Sequence, residues 1–226
     1  NPAWTFYNSS PGLASERYQV RGDNAELNIS SNDPGANQVS NSAMRTGNFS
    51  IPATAGVVVS FYVNKTALGG VWSANSQCVF CVMYDYPRVA NTTSAATQCQ
   101  TTTALGGNGT YFRQGGFTLF YGDVKGGGLL GDTQVLTKMA NNTGFEHWEF
   151  YLNSTHKRLI VNATEGGTAD TGLIRMNVAS ANASSGQILW TLINNEQGVR
   201  NLVIDNITIA NVTSFGLPFN LTTAIF

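Results

Sequence analysis

The sequence predicts an all-β protein, a two-sheet antiparallel sandwich of the jelly-roll type with negligible helix. Three observations predict it. Apolar and polar residues alternate at period two in segment after segment, and no stretch sustains the 3.6-residue period of an amphipathic helix. Clusters of Gly, Asn, Ser and Pro separate these segments at short intervals. The 226 residues are 42% hydrophobic and 11% aromatic, enough to fill a substantial core. A chain of many short strands buries its apolar faces most simply by stacking two sheets.

In chain order, residues 4–7 form a short aromatic strand. Residues 17–21 and 26–30 follow, the latter with Leu27 and Ile29 inward and Glu26, Asn28 and Ser30 outward. The run VVVSFYV over 57–63 is apolar on both faces and reads as a central strand, as does CVFCVMY over 78–84. Residues 110–112, 117–121 and 134–137 come next, with Gly106-Gly107 and Gly126-Gly127-Gly128 as loop tips. The clearest hairpin spans 145–162. Trp148, Phe150 and Leu152 share one face of its first strand, while Phe145, His147, Glu149 and Tyr151 share the other. A polar turn from Asn153 to Lys157 reverses the chain, and Leu159 and Val161 return inward against Arg158, Ile160 and Asn162. Residues 173–178, 188–194 and 201–212 complete about a dozen strands.

No composition shift divides residues 1–212, which read as a single sandwich domain. Residues 213–226 form a separate amphipathic tail. In it Phe215, Leu217, Phe219 and Leu221 alternate with Gly216, Pro218, Asn220 and Thr222. Pro218 cannot donate to a ladder, so this strand belongs at an edge, in its own chain or donated to a neighbouring copy.

Charged residues are only 11% of the chain, against a usual ~25%. The net charge of −1 provides no basic face for nucleic acid. No apolar run approaches the ~18–20 residues of a membrane span. The residues after Asn1 show no signal peptide, as expected of a chain whose leader has been removed. Sugar accounts for solubility at so low a charge. Asn-x-Ser/Thr acceptors occur at thirteen positions: Asn8, Asn28, Asn48, Asn64, Asn91, Asn108, Asn141, Asn153, Asn162, Asn182, Asn206, Asn211 and Asn220. Composition alone predicts about four, so the excess points to N-glycosylation in a eukaryotic secretory pathway and an extracellular location.

The three cysteines suit that oxidising compartment. Cys78 and Cys81 face opposite sides of one strand and cannot readily bridge. Cys81–Cys99 or Cys78–Cys99 is the expected disulfide, worth about 3 kcal/mol. No Cys or His stands at the spacing that a Cys-x-x-Cys zinc site needs, and no cofactor is expected beyond covalent N-glycans. Asp123 and Asp132, flanking the glycine-rich 126–131 segment, are the candidates for calcium, although calcium takes six to eight oxygens.

His147, Glu149 and Tyr151 form the candidate sugar-binding row. Glu146 and Glu149 are the densest carboxylate pair, but a spacing of three places them on opposite strand faces, where they cannot flank one glycosidic bond. Gly-x-Ser-x-Gly is absent, and the glycine-rich segment lacks the Gly-Lys-Ser/Thr of a phosphate cradle. The HWEFYL…RLIV hairpin and the closing LVIDNITI strand resemble the pattern of the concanavalin A-like lectin/glucanase superfamily. The resemblance implies a jelly roll and a carbohydrate ligand. Its glucanase branch carries Glu-x-Asp-x-Glu on one strand face, which Glu146-His147-Trp148-Glu149 does not match. Tyr111-Phe112-Arg113-Gln114-Gly115-Gly116 resembles a strand of the alginate-lyase branch without that branch's accompanying Gln-x-His motif. No catalytic residue carries over.

Three functions are therefore expected in this order: a non-enzymatic surface, cell-wall or filament glycoprotein whose partners are copies of itself; a lectin-like module binding polysaccharide; and a secreted polysaccharide-active enzyme.

Overall fold

A computed structural model describes residues 5–8, 14–21, 24–31, 40–45, 49–50, 56–68, 76–84, 108–115, 118–125, 128–136, 144–153, 155–163, 167–176, 185–194 and 198–212. Among them are sixteen strands and no helix. These are β1 (Thr5–Asn8), β2 (Ala14–Arg21), β3 (Asn24–Ser31), β4 (Ser40–Arg45), β5 (Phe49–Ser50), β6 (Gly56–Leu68), β7 (Ser76–Tyr84) and β8 (Asn108–Gly115), followed by β9 (Thr118–Lys125), β10 (Gly128–Leu136), β11 (Phe145–Leu152), β12 (His156–Ala163), β13 (Gly167–Asp170), β14 (Ile174–Arg175), β15 (Ser185–Asn194) and β16 (Gly198–Val212).

All pairings are antiparallel. The first sheet runs β1-β4-β15-β7-β8-β9-β10, and the second runs β13-β12-β11-β6-β16-β3-β2. The two runs that read as apolar on both faces, β6 and β7, occupy the middle of their sheets, where both strand edges are paired. Sequence neighbours such as β6 and β7, or β15 and β16, lie in different sheets, so chain ends and middle are woven into one sandwich.

The core lies between the sheets. From the second sheet come Val57, Val59, Phe61, Val63, Trp148, Phe150, Leu152, Leu159 and Val161, and from the first Phe80, Val82, Phe112, Leu119, Ile188 and Trp190. Its centre is aromatic. Phe61 meets Phe80 at 4.8 Å and Trp190 edge-on at 5.3 Å, while Phe150 meets Phe80 at 5.1 Å and Phe112 at 5.6 Å. Such tilted and edge-to-face pairs follow from the ring quadrupoles and add to the burial energy. Trp148 and Trp190 are both fully buried in this core; Trp4 and Trp72 lie outside the described residues.

Several expectations need correction. Lys157 does not belong to a solvated turn. It is the second residue of β12, opposite Leu152 on the core face, and it is fully buried. The turn ends earlier because Asn153 Oδ1 accepts from the backbone N–H of Thr155 (2.8 Å) and of His156 (2.7 Å), closing an Asx turn that leaves His156 in strand. Of the expected strand at 173–178, the described residues form strand only at Ile174–Arg175, and 177–178 lie outside them; Gly172, at φ 65°, turns the chain between this strand and the unforeseen β13. β10 begins at Gly128, which the sequence pattern places in a loop tip, and Gly128 pairs with Lys125 of β9; Gly126 and Gly127 lie outside the described residues.

The tail carrying Phe215, Leu217, Phe219 and Leu221 lies outside the described residues. The amino-terminal strand Thr5–Asn8 pairs with β4 of its own chain.

Truncating Trp148 to Ala removes the largest buried side chain of β11, and the expected loss is about 3–5 kcal/mol in chemical denaturation. Ile209→Ala, at an exposed position of β16, should change stability by no more than about 0.5 kcal/mol. Equal losses at the two positions would contradict this assignment of core and surface.

Candidate functional site on the outer face of the second sheet

Strands β6, β11 and β12 lie side by side, and their odd-numbered positions in β11 align across the sheet. His147 pairs with Tyr62 on one side and Asn162 on the other; Glu149 pairs with Ser60 and Ile160; Tyr151 pairs with Val58 and Arg158. Cross-strand partners share a face, so all nine point away from the core. At one end of this face Phe145 pairs with Asn64, and Asp205 of β16 pairs with Tyr62.

The side chains are tied together. His147 Nε2 lies 2.7 Å from Ser60 Oγ, a hydrogen bond that Oγ donates when the ring proton sits on Nδ1. That Nδ1 faces Glu149 Oε1 at 3.9 Å, and the Tyr151 hydroxyl donates to Glu149 Oε2 at 3.0 Å. The His147 ring stacks on Tyr62, centroids 4.6 Å apart. Farther along, Arg158 holds Asp170 through two guanidinium nitrogens, with Nε donating at 2.8 Å. That bond keeps the Asp170 carboxyl below its usual range, helped by the Gly172 N–H, and holds the Arg158 guanidinium above its own. Burial, then the charge and hydrogen bond of Glu149, push the Tyr151 phenol well above 10.

Two aromatic rings remain open to solvent here: Tyr62 is 39% and Phe145 37% exposed. The result is a rigid polar row bordered by apolar rings. Such a surface can stack one sugar face and accept hydrogen bonds from its hydroxyls.

His147, Glu149 and Tyr151 are thus brought together, as the sequence suggested. The second histidine is not with them. His156 sits at the opposite end of the hairpin, its Nδ1 2.8 Å from Thr155 Oγ1. Ser60 and Tyr62 were missed as site residues because their strand reads as continuous apolar core. The period-two pattern that sends Val59 and Phe61 inward was the available signal that Ser60 and Tyr62 point outward.

Glu146 faces the core, fully buried, and accepts from Trp148 Nε1 at 3.0 Å. It and Glu149 occupy opposite sides of the sheet.

Of the calcium candidates, Asp123 is buried and bound by Lys157 Nζ at 3.0 Å, so the chain supplies its own cation there. Asp132 falls in a bulge of β10 between Leu130 and Thr133. Among the described residues no three His, Cys, Asp or Glu cluster as metal ligands.

Cys81 is buried in β7, and Cys78 falls on the other face of that strand; Cys99 lies outside the described residues. Of the sequon residues with described side chains, Asn162, Asn206 and Asn211 are exposed, and Asn64 and Asn153 are half-buried. No helix among the described residues is long and apolar enough to cross a membrane.

No protein-family model matches the chain, and no curated protein matches its sequence. Solved structures do match it. The lectin from Bauhinia forficata, in complex with GalNAc, aligns over 95% of this chain and 100% of its own at TM-score 0.54 and 11% identity. Lectin I-B4 from Griffonia simplicifolia, in a metal-free form, aligns over 92% of each chain at TM-score 0.57 and 8% identity. The fold is that of the concanavalin A-like lectins and glucanases. A GH16 protein of the Bacteroides ovatus mixed-linkage glucan locus, in complex with product, represents the glucanase side, at TM-score 0.56 and 10% identity over 92% of this chain and 94% of that one. At such identities the lectin-type sandwich is shared and the residues of the site are this chain's own.

Absorbance titration tests the hydrogen-bonded row. Tyr151→Phe should remove a tyrosine that ionises well above pH 10, and Glu149→Gln should bring that ionisation back towards 10. Unchanged titration in both variants would contradict the Glu149–Tyr151 bond.

Proposed function

We propose that the chain is a secreted, N-glycosylated carbohydrate-binding protein that holds its ligand on the outer face of β6 and β11. The observation that carries this reading is the pair of exposed rings, Tyr62 and Phe145, beside the His147–Glu149 row in a lectin-type sandwich. Arg158 is already engaged by Asp170, and Glu149 and Asp205 bring negative charge to the face. The face therefore suits a neutral, hydroxyl-rich polysaccharide better than an acidic one. The reading is one of binding: Glu146, the other carboxylate of the hairpin, lies behind the sheet and cannot act across a bond held by Glu149.

Asn162 adds a constraint. It stands beside His147, and its Oδ1 accepts from Thr168 Oγ1 at 2.6 Å, which turns the amide nitrogen elsewhere. A glycan on that nitrogen competes with an external ligand for the same face. Calorimetry after a glycan-array screen tests the proposal. Tyr62→Ala should weaken binding about tenfold, roughly 1.4 kcal/mol, and Asn162→Gln should strengthen it. The proposal fails if plant, algal and fungal polysaccharides all go unbound, or if Tyr62→Ala binds as the unaltered protein does.

The density of thirteen sequons supports a second reading, a sugar-coated surface or filament protomer that assembles with copies of itself. Thr5–Asn8 is already paired within its own chain, so this reading relies on Phe215, Leu217, Phe219 and Leu221 as the assembly strand. Removal of residues 213–226 would then abolish self-association in sedimentation, and an unaltered distribution would exclude it. For the cysteines, the participation of Cys81 in a disulfide favours Cys81–Cys99 over Cys78–Cys99.

A further inference from the structure

One end of the core holds a reactive pair that the outer face does not use. Lys157 leaves β12 on the core face and crosses to the first sheet. Its Nζ donates to Thr110 Oγ1 at 2.5 Å, to the Gly122 carbonyl at 2.7 Å and to Asp123 Oδ1 at 3.0 Å. Lys157 is wholly buried and Asp123 is 2% exposed. The rings of Tyr121 and Phe112 close the site, their centroids 5.0 and 5.4 Å from Nζ. Thr110 and Asp123 are cross-strand neighbours, and Thr110 Oγ1 donates to Asp123 Oδ1 at 2.7 Å.

Two opposite charges taken out of water cost several kcal/mol each before their attraction is counted. Burial accordingly pushes the Lys157 amine down to about 8. The threonine hydroxyl offers a route to a neutral pair. It accepts from Nζ and donates to Oδ1, so one proton can pass from ammonium to carboxylate without solvent. A free amine then faces a neutral carboxylic acid at contact distance, where effective molarity is very large.

We propose that Lys157 and Asp123 condense into an intramolecular isopeptide bond that joins the two sheets. The relay first leaves –NH2 on Lys157 and –COOH on Asp123. The amine lone pair forms the Nζ–Cγ bond, giving a tetrahedral centre. A second Nζ proton passes through Thr110 to Oδ1, the Cγ–Oδ1 bond breaks, and Oδ1 leaves as water. The product is a neutral amide, and no oxidant or co-reactant is consumed. The step also removes the buried ion pair that motivates it. Gly122 O accepts the remaining N–H, and the two rings keep hydrolytic water out. Thr110 is a positioning and proton-relay residue that takes no part in the final bond.

Peptide mass spectrometry of the full-length, secreted, folded protein tests this after enzymatic deglycosylation, reduction and digestion under denaturing conditions. The expected result is a branched peptide that joins the Asp123 segment to the Lys157 segment and weighs one water less than the two together. Thr110→Val keeps the reactants and removes the relay, so its branched peptide should form about a hundredfold more slowly. Recovery of only separate linear peptides from the unaltered protein would overturn the proposal. So would a Lys157 ammonium that still titrates by NMR near about 8, because an amide has no such proton. Equal rates with Val at position 110 would overturn the relay.

Discussion

Phe61 is where the sandwich closes. From the centre of β6 it touches Phe80 and Trp190 of the facing sheet and lies 6.0 Å from Trp148 of its own. A slip of one residue in β6 would expose Phe61 and bring Ser60 and Tyr62 inside, an exchange that costs most of the core. The same contact therefore fixes the outer face. With Phe61 inward, Ser60 and Tyr62 must point out, and the β6–β11 register places them against Glu149 and His147. The polar row is positioned by the apolar one behind it.

Much of the fold was legible because its signals are local. The alternation of Trp148, Phe150 and Leu152 against His147, Glu149 and Tyr151 can be read from eight residues, and the burial alternates with it as far as Phe150; Tyr151 is buried although it faces outward. The short strand Ser40–Arg45 was not legible, because SNSAMR contains too little apolar surface to show a period; it is held by pairing with β1 and β15. Lys157 was misplaced for a related reason. His156-Lys157 reads as the polar end of the turn, and only the facing sheet reveals that Asp123 and Thr110 await the ammonium.

The site shows the same limit. The row itself shares one strand, but Ser60 lies 87 residues from His147 in sequence, and Asp170 lies 12 from Arg158. Such partners are chosen by sheet order and register, which a single sequence does not spell out. Glycan signals sit on both levels. Asn153 serves the hairpin turn through its carbonyl oxygen, Asn206 adopts φ 50° in the bulge of β16 between Asp205 and Thr208, and Asn162 borders the candidate site. The left-handed backbone at position 206 suits Asn whether or not sugar is attached. The outer row and the Lys157 cage differ in kind: the row is tied but partly open, whereas Lys157 and Asp123 are buried.

The central claim is that the Tyr62–Phe145–His147 face receives carbohydrate. NMR chemical-shift mapping tests it most directly, with the protein titrated against soluble oligosaccharides released from neutral polysaccharides. Saturable shifts should centre on Tyr62, Phe145, His147 and Glu149, grow in the Asn162→Gln protein, and leave the outer face of the first sheet unmoved. Shifts that centre on another surface, or none at millimolar ligand while the sandwich stays folded, would contradict it.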